Sequence, residues 1–221
     1  GSRYYGEDLP INTWYMKRFA GLSEDGLSLW YYTDKETNEE KTTTTYSTGD
    51  FYLCGDPNPD LYGGFGTSIT FHGFDLSTQF SYLVGGLTYD YGYAGMMGNP
   101  TATSVGNRWH KDVLKAWSPE NPSSTIPRWY FNDLNTTGSS DRFLIDGSYL
   151  NLQNIQVGYT LPDSWTSHLK IKNLRLYFVC DNVYYWSKRK GLDPRRSISG
   201  VGTSGKIAPF RTYSGGISLQ F

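Results

Sequence analysis

Cysteine, histidine, charge imbalance and long apolar runs are all scarce in this chain. Its two cysteines, Cys54 and Cys180, are too few for a disulfide framework, and their spacing fits no zinc motif. Two unpaired thiols are expected. The three histidines, His72, His110 and His168, lack metal-ligand spacing and fall in predicted turns or loops, so neither a metal site nor a catalytic triad is in view. Formal net charge is -1, which implies no basic surface for nucleic acid. No stretch approaches the roughly 18 apolar residues that a membrane-spanning helix needs. The amino end has neither a basic nor an apolar leader segment, so no signal peptide is expected. One stretch, Gly200-Val201-Gly202-Thr203-Ser204-Gly205, matches G-x-G-x-x-G. A dinucleotide site needs a helix after that motif, and Pro209 argues against one, so the segment is expected to be a loop.

Aromatic residues are plentiful: 19 Tyr, 11 Phe and 7 Trp among 221 residues, 17% in all. The chain is otherwise polar, with 38% hydrophobic residues and a mean hydropathy of -0.52. A helical membrane protein is excluded by that balance, but a strand with one face in lipid and one in a watery lumen needs only half its residues apolar.

The final stretch has this two-sided pattern. Tyr213, Gly215, Ile217, Leu219 and Phe221 fall on one side, and Thr212, Ser214, Gly216, Ser218 and Gln220 on the other, as the period of two requires. Phe65, Thr67, Ile69 and Phe71, then Phe74, Leu76, Thr78, Phe80, Tyr82 and Val84, predict a hairpin turning at His72-Gly73. Ile155, Val157 and Tyr159 alternate with polar neighbours, and Leu174, Leu176, Phe178 and Cys180 with Arg175, Tyr177 and Asp181. Residues 12–21 and 27–33 predict two further strands around the turn-forming segment 22–26. A short helix is expected over 107–117, and a helical turn beginning at Asp163 or Ser164.

The sum is about seven strands in an all-β, antiparallel arrangement. Connections alternate in length: 22–26, 72–73 and 161–172 are short, and 34–61, 89–142 and 187–209 are long. A transmembrane barrel has this asymmetry, with short turns inside and long loops outside. The competing reading is a secreted soluble β-sandwich that binds carbohydrate.

Several blocks then resemble the late barrel of SusC/RagA-type TonB-dependent outer-membrane transporters. They are Ala20-Gly21-Leu22 with Asp25-Gly26, Tyr62-Gly63-Gly64-Phe65 with Gly73-Phe74-Asp75-Leu76-Ser77, and Ser140-Asp141-Arg142-Phe143. The run from Gly147 to Pro162 follows, then Leu174-Arg175-Leu176-Tyr177 with Asp181-Asn182 and Gly191-Leu192-Asp193-Pro194. Their order is the family's, and together they span nearly the whole chain. The resemblance implies that residues 1–221 are the carboxy-terminal part of a plug-filled barrel of about 22 strands. It also implies an importer of a glycan, oligosaccharide or peptide in the outer membrane of a Bacteroides-type Gram-negative cell. Its partners would be a SusD-like lipoprotein, TonB acting through an upstream segment, the remainder of the same barrel polypeptide and the lipid bilayer. No cofactor and no enzymatic chemistry are implied. Candidate substrate contacts are loop aromatics and polar neighbours: Trp109, Trp117, Trp129, Tyr130, Asp141, Arg142, Tyr185 and Trp186.

Overall fold

The computed structural model describes all residues except 1, 102–107, 134, 137, 168–169, 197–198 and 202–208. His168, most of the glycine motif at 200–205 and the start of the expected helix at 107 therefore lie outside the described residues. The strands are β1 (Arg3–Tyr4), β2 (Thr13–Lys17), β3 (Phe19–Leu22), β4 (Ser28–Thr33), β5 (Glu40–Thr43), β6 (Phe51–Leu53), β7 (Leu61–Phe71), β8 (Phe74–Val84), β9 (Leu87–Tyr89), β10 (Leu144–Asp146), β11 (Tyr149–Thr160), β12 (Asn173–Ser187) and β13 (Thr212–Gln220). Short helices α1 (Tyr91–Met96) and α2 (Asp163–Thr166) interrupt them. Among the described residues no helix is long and apolar enough to cross a membrane.

The chain folds as two compact units. One comprises Pro59–Gly85, Gly147–Asp193 and Lys206–Phe221. It is an antiparallel sheet of five strands in the order β13-β12-β11-β8-β7. The His72-Gly73 turn forms as expected: both residues have positive φ, 47° and 86°, the backbone of the tight hairpin turn that matches strand twist. The strands β7 and β8 are 11 residues each, about the length a tilted strand needs to cross a bilayer.

Register turns the one-dimensional alternation into two faces. Ile69, Leu76, Val157 and Phe178 lie side by side across four strands. So do Phe71, Phe74, Tyr159, Leu176 and, on the fifth strand, Ile217. The opposite face carries Ser68, Ser77, Gln156, Val179 and Ser214. A register shift between Leu152 and Asn154 leaves Gln153 unpaired. This extra residue returns Leu152 to the apolar face opposite Phe80, where an uninterrupted alternation would have put it on the polar one.

The other unit comprises Gly1–Asn58, Gly86–Asp146 and Pro194–Gly205. Its strands are short and belong to small sheets: β1-β2-β6, β3-β4-β5 and β10-β9. Its core is Trp14, Met16, Tyr89, Met97 and Phe143. Trp14 is 0% exposed, its indole N–H donates to the Leu87 carbonyl at 3.1 Å, and the Arg3 guanidinium lies over its ring. Lys17 is also buried, with its ammonium donating to the carbonyls of Tyr46, Ser47 and Gly49. That turn therefore closes on a cation, and burial lowers the Lys17 pKa.

Residues 12–21 and 27–33 were expected to be barrel strands, with 22–26 a short inner turn. They form β2, β3 and β4 of the short-stranded unit. The reason is visible in β2, where Thr13, Trp14, Met16 and Lys17 are all buried: both sides of the strand are enclosed, unlike a strand between lipid and water. The 22–26 turn packs in the same unit as the long insertion, since a Cβ on Gly26 would sit 2.3 Å from the Trp117 ring. The continuous sheet thus has five of the roughly seven strands anticipated. The expected helix over 107–117 is a single 3-10 turn, Lys111–Lys115.

Candidate functional site

The five-stranded sheet offers two chemically distinct surfaces. Among the described residues of its unit no second sheet accompanies this one, and on the apolar face Ile217 is 65% exposed and Phe178 49%. A soluble sandwich would bury this face against a partner sheet, whereas contact with lipid leaves it bare. The polar face is knitted by side chains. Arg175 donates from Nε and Nη2 to the Asp75 carboxylate at 2.9 and 2.6 Å. Asn154 donates to Asp181 at 2.7 Å, and Asn151 to the Ser81 hydroxyl at 3.3 Å. Such a surface is wettable but internally satisfied, as the wall of an aqueous passage requires.

Tyr185 and Trp186 are consecutive in β12 and therefore fall on opposite faces. Tyr185 stands opposite Asn151 on the polar side, and Trp186 opposite Leu150 on the apolar side. Trp186 packs edge-on against Tyr184, 4.8 Å between centroids, near the end of the strand, where an aromatic girdle at a lipid–water boundary would place it.

In the short-stranded unit, Trp109 and Trp129 are held as a pair. Their rings meet edge to face at 5.4 Å, and both indole N–H groups donate to the Gly98 carbonyl, at 3.2 and 3.3 Å. Tyr130 follows, 65% exposed, with the Arg128 guanidinium 5.3 Å from its ring centre. Asp141 and Arg142 have structural partners. The Asp141 carboxylate accepts the Phe19 backbone N–H at 2.8 Å, and burial pushes its pKa above the usual carboxylate range. Arg142 lies over the Phe19 and Phe143 rings at 5.4 and 5.0 Å, and burial holds its pKa down to about 10. These two side chains fasten β3 to the segment before β10.

Trp117 stands apart from the other tryptophans. It forms one wall of an open cavity of about 390 Å³ between β3 and the 117–125 loop, with Phe19, Gly21, Pro122 and Thr125 among the lining residues. Sequence reasoning identified Trp117 but missed Phe19, Gly21 and Thr125, which are 98, 96 and 8 positions away from it in the chain. A run of Pro, Ser and Thr beside a tryptophan was the only local signal.

Known proteins place this arrangement. The chain is 29% identical over 228 residues to TonB-dependent receptor P3 of Formosa agariphila, a match that covers 99% of this chain and 21% of that protein. It is 27% identical over 180 residues to TonB-dependent receptor SusC of Bacteroides thetaiotaomicron, covering 80% of this chain and 17% of that one. The RagAB peptide importer in its closed-closed state superposes with a TM-score of 0.77 at 25% identity, over 99% of this chain and 25% of that chain. The RagAB peptide transporter superposes at 0.76 with the same identity, over 95% and 23%.

The chain is SusC/RagA-like.

No family model matches it. It spans about a fifth of the length of the curated relative it matches along nearly its whole extent. For a SusC/RagA-like β-barrel portion, the two-faced sheet is the wall. The exposed apolar face and the likeness to the RagAB structures favour this barrel portion over the sandwich reading.

Proposed function

We propose that this chain is the carboxy-terminal part of the barrel of an outer-membrane active importer. The whole polypeptide would take up a nutrient, an oligosaccharide or a peptide, with a SusD-like surface lipoprotein as partner and TonB as the source of energy. The observation that carries the reading is the five-stranded sheet, one face a continuous apolar strip and the other a hydrogen-bonded polar one. Its outer strands, β7 and β13, each have one edge without a partner among the described residues. Unpaired backbone in hydrocarbon costs several kcal/mol per group, so further strands of the same polypeptide pair there. The relatives support the wall and the transporter class, and the RagAB neighbours are peptide importers by name. The passage is non-covalent, and this portion supplies wall and outer-loop surface.

The test is uptake by cells carrying the natural full-length polypeptide. Labelled oligosaccharides and oligopeptides are offered before and after a protonophore collapses the inner-membrane gradient. Energy-dependent uptake that disappears when the polypeptide is deleted supports the proposal. Recovery of the polypeptide in the soluble fraction, without detergent, sinks it.

A further inference from the structure

We infer that the cavity between β3 and the 117–125 loop is a binding cleft for a neutral saccharide. Its size, about 390 Å³, lies in the range of small-molecule sites, roughly 300–1,000 Å³. Its lining combines two aromatic rings, Phe19 and Trp117, with the hydroxyl side chains of residues 23 and 123–125, and none of the nine lining residues is charged. A peptide brings charged termini, for which this lining holds no charged partner. A sugar ring brings an apolar C–H face for an aromatic wall and a hydroxyl edge for Ser and Thr.

The cleft is also built before any ligand arrives. The ring of Trp117 lies on the backbone of Gly26, where a Cβ would approach within 2.3 Å. The Trp117 N–H donates to the Ile126 carbonyl at 2.8 Å, and the Arg128 N–H to the Gly26 carbonyl at 2.9 Å. Ser124 is committed to the Lys115 carbonyl at 2.6 Å, and Ser23 accepts the Leu27 N–H at 3.1 Å. Among the described residues the hydroxyls of Ser123 and Thr125 make no hydrogen bond, and both residues are exposed. Gly21, at φ 107°, has nothing within 4 Å of where a Cβ would sit, so the wall opposite Trp117 is open. Rigid aromatic wall, free hydroxyls and open space together pre-pay the ordering cost of binding.

The cleft names the class of cargo for the import reading and rests on that reading for its physiological role, so the two are tested separately. The detergent-solubilised full-length polypeptide is titrated with neutral oligosaccharides and, separately, with oligopeptides of similar size, reading tryptophan fluorescence and calorimetric heat. Trp117→Ala is expected to weaken saccharide binding by about tenfold or more, and Trp117→Phe by about threefold or less. Thr125→Trp, which fills the cleft without removing its wall, blocks binding even if Trp117→Ala fails to fold. Saccharide affinity unchanged in Trp117→Ala or in Thr125→Trp overturns the inference, as does tighter binding of peptides with the same dependence on Trp117. Energy-dependent peptide uptake with no saccharide binding leaves the import reading standing and the cleft refuted. Trp117-dependent saccharide binding without energy-dependent uptake gives the reverse.

Discussion

Asp75 and Arg175 hold hands over a strand that belongs to neither of them. Asp75 is in β8 and Arg175 in β12, and β11 runs between. The bidentate contact, 2.9 and 2.6 Å, passes directly over Gly158. A Cβ there would stand 2.4 Å from the carboxylate and 2.5 Å from the guanidinium. The glycine is therefore a clearance for an ion pair and not a weak point in the strand.

The consequence is a non-additive set of variants. Gly158→Val should lower the thermal midpoint of the folded full-length polypeptide by about 5 °C, because the strap must open. Asp75→Asn and Arg175→Gln should each lower it less, and the double variant by less than their sum, since the second change removes a charge the first left unpaired. Heat-modifiability on gels measures all four. Simple additivity would show that the pair contributes nothing.

The two faces make a second prediction from adjacent residues. Val157 lies mid-sheet on the apolar face and Gln156 on the polar one. In the full-length barrel folded into vesicles, Val157→Arg should cost about 2–4 kcal/mol, and Gln156→Arg about 1 kcal/mol or less. Equal penalties would mean that the faces do not meet different solvents.

Trp14 anchors the short-stranded unit. Trp14→Ala removes a fully buried ring and should destabilise that unit by about 3–5 kcal/mol, with Trp14→Phe well below that. Limited proteolysis should then cut first within Gly1–Asn58 and Gly86–Asp146 while β8, β11 and β12 stay protected. Simultaneous loss of protection throughout the chain would contradict this expectation.

Asp141 supplies a pH signature. Burial raises its pKa above the ordinary 3.8, so the native state binds this proton more tightly than the unfolded chain does. Its contribution to stability is full below 3.8 and falls as pH climbs through the native value. Asp141→Asn keeps an acceptor for the Phe19 N–H and carries no charge. The variant should therefore be as stable as the parent or more so at pH 7, and lose that advantage as the solution is acidified through the carboxylate range. Denaturant midpoints at several pH values decide it, and a variant clearly less stable at neutral pH contradicts the account.

The hairpin at His72-Gly73, the apolar rows of β8, β11, β12 and β13 and the helical turn at Asp163 were legible because each is local. A period of two and a pair of turn residues need no knowledge of what lies across the sheet. Of the candidate contacts, Trp109, Trp117, Trp129 and Tyr130 could be placed in one long insertion from sequence, because they are near one another in the chain. Asp141 and Arg142 were not recognisable as fasteners, because Phe19, their common neighbour, is more than a hundred positions away. Whether a residue is presented or tied down depends on that neighbour.

Strand chemistry and the sidedness of each long strand were thus determined by the sequence alone, since successive side chains of any extended chain must point in opposite directions. The tertiary structure decided which strands enter the long sheet, where Gln153 resets the alternation, and that Phe19, Gly21 and Trp117 share a cleft. These outcomes are set by pairing between distant segments, a competition that no short window of residues contains.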